Sequence, residues 1–199
     1  MRAIVLSLIL VLCSGTGSAR SRVIHVLVAL CDNKYQGIVK VPAGIGNGQK
    51  ASTNLYWGAG YGVRTHFDRA EEWQRVECPK ATEAHILDRA VWKHRDSAVY
   101  LVAEAYDGRN IREATEDLMR YASGAGPRPI HLDGLTIQAG AGADLIAYVG
   151  HDGLMEFDLN KSYPAQDQRV RETIILACIS KRYFASPLRH TGASPLLWT

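Results

Sequence analysis

Two residues in this chain of 199 are of types that do nucleophilic chemistry together. His151 closes the apolar run Leu145-Ile146-Ala147-Tyr148-Val149-Gly150, and Cys178 closes a second one, Thr173-Ile174-Ile175-Leu176-Ala177. A free thiol, with an ordinary pKa of about 8.5, is mostly protonated at neutral pH. An imidazole beside it yields the thiolate that attacks a carbonyl carbon. Each residue also has a plainer reading. Free cysteine is among the most buried residue types, so Cys178 alone reads more often as an inert core thiol than as a nucleophile, and a strand-end histidine is as readily bonded to backbone. Asp152, inside Gly150-His151-Asp152-Gly153, reads as a turn former. His25 reads as a core histidine, and the remaining histidines have neither H-x-x-x-H nor Cys-His spacing, so neither a metal nor a cofactor is expected.

The elements that would carry the pair read as buried parallel strands. Short runs rich in Ile, Val and Leu with almost no internal charge suit a sheet covered on both faces. Parallel strands end on one edge, which is where open α/β sheets bind ligands, so an imidazole and a thiol at two such ends share a crevice. Val23–Leu30 reads as the first strand and Val99–Tyr106 as another. Between them, the glycine-rich stretch 36–53 fits neither phosphate-loop pattern and reads as a rim loop. Asn54 is placed to cap a helix through Leu55, Tyr56, Ala59, Val63 and Phe67, although Gly58, Gly60 and Gly62 weaken it. Asn110 and Glu113 have capping-box spacing ahead of a helical stripe, Ile111, Ala114, Leu118, Met119 and Ala122. A strand or hairpin is expected within 130–138. The 26 residues between His151 and Cys178 suffice for a parallel crossover, with Leu154–Phe157 extended. Strands alternating with helices predict an α/β sandwich with a largely parallel central sheet.

Composition bounds the function classes. With 47% hydrophobic and 22% charged residues the chain is ordinary for a folded domain. A net charge of +3 without a Lys/Arg-rich run gives no footprint for nucleic acid. Residues 1–19 have a basic start, an apolar run Ala3–Leu12 and small residues through Ala19, the three parts of a secretory signal. The apolar run is too short for a membrane span. An exported (periplasmic or secreted) domain over 20–199 is therefore expected, with Cys31, Cys78 and Cys178 retained. Three thiols cannot all pair: either Cys31 and Cys78 are bridged, or all three are reduced.

The apolar strand ending in Gly-His with a nearby Gly, followed by an apolar strand ending in Ala-Cys, resembles the caspase-like cysteine peptidases, the class of caspases, metacaspases, legumain, gingipain and clostripain. The resemblance implies a caspase-like three-layer sandwich and hydrolysis of peptide bonds in a peptide or protein substrate. It implies His151 as general base and acid, Cys178 as nucleophile, and the N–H groups of Gly153 and Cys178 as oxyanion donors. Asp32 is the candidate substrate-binding acid. The chain departs from the family in placing Asp152 between His151 and Gly153, and Leu176-Ala177 where an acidic residue often precedes the nucleophile. The family also continues past the cysteine strand with further strands, whereas this chain stops at Ser194-Pro195-Leu196-Leu197-Trp198-Thr199, so an incomplete domain is expected. A catalytically inactive caspase-like binding or envelope-associated module is the alternative. A dinucleotide-binding enzyme is disfavoured because no glycine-rich turn follows the first strand at the required spacing.

Overall fold

The computed structural model describes residues 20–199, so the signal segment 1–19 and Cys13 lie outside the described residues. Nine strands are present: β1 (Arg22–Ala29), β2 (Trp73–Val76), β3 (Ile86–His94), β4 (Val99–Tyr106), β5 (Pro127–Leu132), β6 (Leu135–Gly140), β7 (Leu145–Val149), β8 (Glu172–Leu176) and β9 (Ser194–Trp198). The helices are α1 (Val63–Arg69), α2 (Ile111–Ala122) and α3 (Ser180–Thr191). Seven strands form one sheet in the order β2-β3-β4-β1-β7-β8-β9, and β5 and β6 form a separate hairpin. The β4-β1-β7-β8-β9 pairings are parallel, and β2 and β3 extend that sheet antiparallel. This is a mixed α/β sandwich.

Two apolar cores, one on each face, follow from strand alternation. On one face Val23, Leu27 and Ala29 of β1 pack with Ile146 and Tyr148 of β7, the α2 stripe and Phe184 and Leu188 of α3. On the other, Val26, Val28 and Leu30 pack with Trp57, Trp92 and Leu101, covered by Val63 and Phe67 of α1. Burial on both faces is why these strands carry few polar residues.

Three local expectations are corrected. The helix from Asn54 does not form; 55–62 are turns and only Val63–Arg69 is helical. A Cβ at Gly58 would lie 2.2 Å from the Ser52 carbonyl oxygen, a packing of backbone on backbone that a continuous helix would not reach. Asn54 is occupied elsewhere: its Oδ1 accepts the Cys31 N–H and its Nδ2 donates to the Cys31 carbonyl, at 3.1 and 2.8 Å. Leu154–Phe157 is not extended, because Asp152 caps a 3₁₀ turn over Gly153–Met155 by accepting the Leu154 N–H. α2 forms as its stripe predicts, but Asn110 makes no side-chain cap bond. Asp107 instead caps the 3₁₀ turn just before it, accepting the Arg109 N–H. All three described cysteines are free thiols. No described helix is long and apolar enough to cross a membrane.

Candidate functional site

The sheet edge collects the polar residues that sequence reasoning singled out. β1, β4, β7 and β8 run parallel and end at Ala29, Tyr106, Val149 and Leu176. The residues just beyond those ends include Cys31 and Asp32, Asp107, His151, and Cys178. β7 and β8 pair Val149 with Leu176, so His151 and Cys178 each stand two residues past the same rung. The strand register thus brings both residues to the same edge of the sheet.

His151 is only 5% exposed. Its backbone carbonyl accepts the hydroxyl of buried Tyr148 at 2.8 Å, which pins the residue from below. Its Nε2 lies 2.5 Å from Glu156 Oε1, and that same oxygen accepts the N–H of Gly37. Nδ1 has no hydrogen-bond partner within the described residues, yet it is not among the buried atoms left without one.

Cys178 is exposed, and no hydrogen bond joins its sulfur to His151 among the described residues. The next residue, Ile179, has φ 51° and ψ 34°, the sole non-glycine residue described at positive φ. A β-branched side chain in that region is a steric outlier, worth about 1–2 kcal/mol of strain. Strain of this kind persists only where the surroundings impose it. Here the surroundings are the abrupt passage from β8 into α3. Ser180, the first helical residue, donates its hydroxyl to the Ile175 carbonyl at 3.0 Å, while the Lys181 N–H donates to the Thr199 carbonyl at 2.9 Å. The turn holding Cys178 is therefore fixed from both strand and helix.

The backbone N–H groups of Gly153 and Cys178 meet no acceptor among the described residues. Asp152 directly precedes Gly153: its Oδ1 accepts the Leu154 N–H at 3.0 Å, but its Oδ2 is buried with no partner among the described residues. Burial pushes the carboxyl up to about 6 against the opposing pull of the Leu154 N–H and His151. Asp32 is 2% exposed and fully engaged. Its Oδ1 accepts the N–H groups of Lys34 and Tyr35. Its Oδ2 accepts from the Gly48 N–H and, at 2.7 Å, from Gln49 Nε2. The carboxylate clamps the glycine-rich loop onto the sheet edge.

Two residues here were not singled out by the sequence. Tyr56, read as part of an apolar helix face, stands within electrostatic reach of both Cys31 and Cys178; burial first, then those two sulfurs, push its phenol up. Glu156, within a segment expected to be extended, reaches His151 because the 3₁₀ turn folds it back. An Asp two residues before a Leu-Met pair after His-Asp-Gly is the one sequence sign of that turn, through Asx-type capping. The cavity lined by Arg20, Val23, Gln138 and Arg169, about 480 Å³, lies at the opposite, N-terminal edge of the sheet. No family model matches this chain, and no curated protein or solved structure matches it either.

Proposed function

We propose that the chain is an exported cysteine peptidase of caspase-like architecture, with His151 and Cys178 as its catalytic pair. The observation that carries the reading is the common register of the two residues past paired parallel strands. The exposed thiol, and the lack of hydrogen-bond partners among the described residues for His151 Nδ1 and for the N–H groups of Gly153 and Cys178, fit the chemistry.

In this reading, His151 takes the Cys178 proton and the thiolate adds to a substrate carbonyl carbon, placing the developing oxyanion on the two N–H groups. The carbonyl C–N bond then breaks, and the amine leaves with the proton from the imidazolium. Water, deprotonated by the same ring, cleaves the thioester to release the acid and restore the thiol. Each N–H donor would be worth about 3 kcal/mol in the transition state. Asp32, as a substrate-binding acid, would require its loop clamp to open, so the reading assigns it no direct contact.

An inactive binding module is favoured by two observations: His151 Nε2 is committed to Glu156, and the Cys178 sulfur makes no hydrogen bond among the described residues. Alkylation separates the two. Iodoacetamide labelling of Cys178 should slow at least tenfold in His151→Ala, on the scale of general-base loss, and a peptide library should yield cleavage that Cys178→Ser abolishes. Labelling indifferent to His151, together with no cleavage, would sink the peptidase and leave the binding module.

A further inference from the structure

Glu156 contacts the ring of His151 and has no part in the chemistry above. Its Oε1, 2.5 Å from His151 Nε2, also accepts the Gly37 N–H, so one oxygen holds both the ring and the loop that follows β1. We propose that Glu156 is the positioning residue for His151, fixing the ring with its proton on Nε2 and leaving Nδ1 as the proton acceptor, and that the loop at Gly37 holds Glu156 in place. The assignment rests on the reading of His151 as the general base.

The chemistry follows from donor and acceptor types. A carboxylate only accepts, so the hydrogen between the two groups belongs to Nε2. The bond at one ring nitrogen decides which form the other nitrogen takes, and a carboxylate acceptor makes it short and strong. Nδ1 is then the nitrogen with the free lone pair, and no hydrogen bond occupies it among the described residues. The local fold delivers Glu156 to this place. Asp152 caps the turn Gly153–Met155, and the Glu156 N–H donates to the Gly153 carbonyl at 2.9 Å, which reverses the chain and aims residue 156 back at ring 151.

Gly37 supplies the second half of the argument. A Cβ there would lie 2.8 Å from Glu156 Oε1, so a side chain at 37 would have to displace the carboxylate. Gly37→Ala therefore pushes on Glu156 from a position that touches neither reacting residue. Its effect must travel through the carboxylate.

The test combines ¹⁵N NMR of the imidazole with Cys178 alkylation rates. Unchanged circular dichroism and melting temperature would establish that each variant folds. In the neutral ring of the wild type, the proton should sit on Nε2. Glu156→Ala should scramble the tautomer and slow alkylation about tenfold, the scale of losing one hydrogen bond to a charged group. Glu156→Gln, which keeps an acceptor oxygen, should restore part of both. Gly37→Ala should move both readouts in the same direction, and adding it to Glu156→Ala should change nothing further. A tautomer unaffected by Glu156→Ala overturns the proposal, as does a Gly37→Ala effect that persists without Glu156. If the tautomer responds as expected while His151→Ala leaves alkylation unchanged, Glu156 orients the ring but the peptidase reading fails, and with it the role of Nδ1 as proton acceptor.

Discussion

Glu104→Gln should destabilise the folded chain by about 3 kcal/mol at pH 7, the low end of the range for breaking a buried ion pair. Glu104 is fully buried on β4. Its Oε2 is 3.0 Å from His25 Nε2, while its Oε1 accepts Arg89 Nε at 2.8 Å and lies 3.2 Å from the Arg128 guanidinium. The Gly140 N–H donates to His25 Nδ1, so the hydrogen toward Glu104 is on Nε2. Burial alone would raise the carboxyl. The His25 bond and the Arg128 and Arg89 charges outweigh it and hold Glu104 at about 2, against 4.5 ordinarily. At about 1.4 kcal/mol per unit, that depression contributes about 3 kcal/mol. Arg128 keeps Glu83 at 2.8 Å in the variant, which is why the low end of the range applies. Because the folded pKa is depressed, the contribution is whole above about 4.5 and is lost as pH falls toward about 2. Gln has no such proton to bind, so the gap between wild type and variant should close over that window. Urea unfolding from pH 7 to 2, with the slope of each transition compared to verify two-state behaviour, measures the gap. A difference under about 1 kcal/mol at pH 7, as for an exposed pair, or one that persists undiminished at pH 2, would refute this account of the cluster.

Asp152→Asn should show the opposite pH signature, because burial raises the Asp152 carboxyl to about 6. A raised acid stabilises the fold at low pH and loses that contribution as pH rises from about 4 through 6, so the variant should gain on wild type above pH 6 by about 2 kcal/mol. The ideal gain is reduced by the unpaired amide left where Oδ2 now lies. Melting curves at pH 4 and 8 suffice, and a gain at pH 4 equal to that at pH 8 would contradict it. Gly108→Ala should cost about 1–3 kcal/mol through overpacking. Its Cβ would meet the Leu30 carbonyl oxygen at 2.7 Å and Gly48 Cα at 3.0 Å, which would lift the glycine-rich loop from the sheet edge. Faster proteolytic nicking within 44–48 is the expected readout, and an unchanged cleavage rate would show that the loop is not seated there.

The sheet was legible in the sequence where burial removed ambiguity. Val99–Tyr106, Leu145–Val149 and the α2 stripe have apolar patterns that only one period fits, and their boundaries fall within a residue or two of those expected. β2 and β3 were not legible: Trp73–Val76 and Ile86–His94 mix charged and aromatic residues because β2 is an edge strand with two exposed central residues. The Asn54 helix failed for a tertiary reason. Asn54 bonds the backbone of Cys31 in both directions, a long-range use of a capping residue type that no local window reveals. α3 was hidden by Pro187 inside it, which reads as a breaker until the first turns are seen to be anchored by Ser180 and Thr199.

The site divides along the same line, between what register fixes and what turns decide. A residue at the end of a buried strand is located by counting, so His151 and Cys178 could be placed at one edge from sequence alone. Their side-chain partners could not, because these come from segments with no period. Glu156 arrives by a 3₁₀ turn that depends on one Asp side chain, Gly37 by a loop clamped through Asp32, and Tyr56 by turns that replaced a helix. Strand ends therefore set which reactive groups are available, and the loops set what those groups face. In this chain the imidazole faces a carboxylate tied to the loop after β1. If His151 acts on Cys178 as proposed, activity should depend on how that loop is seated, and substitutions at Gly37, far from either residue in sequence, become the sharpest probe of whether the two strand ends work together.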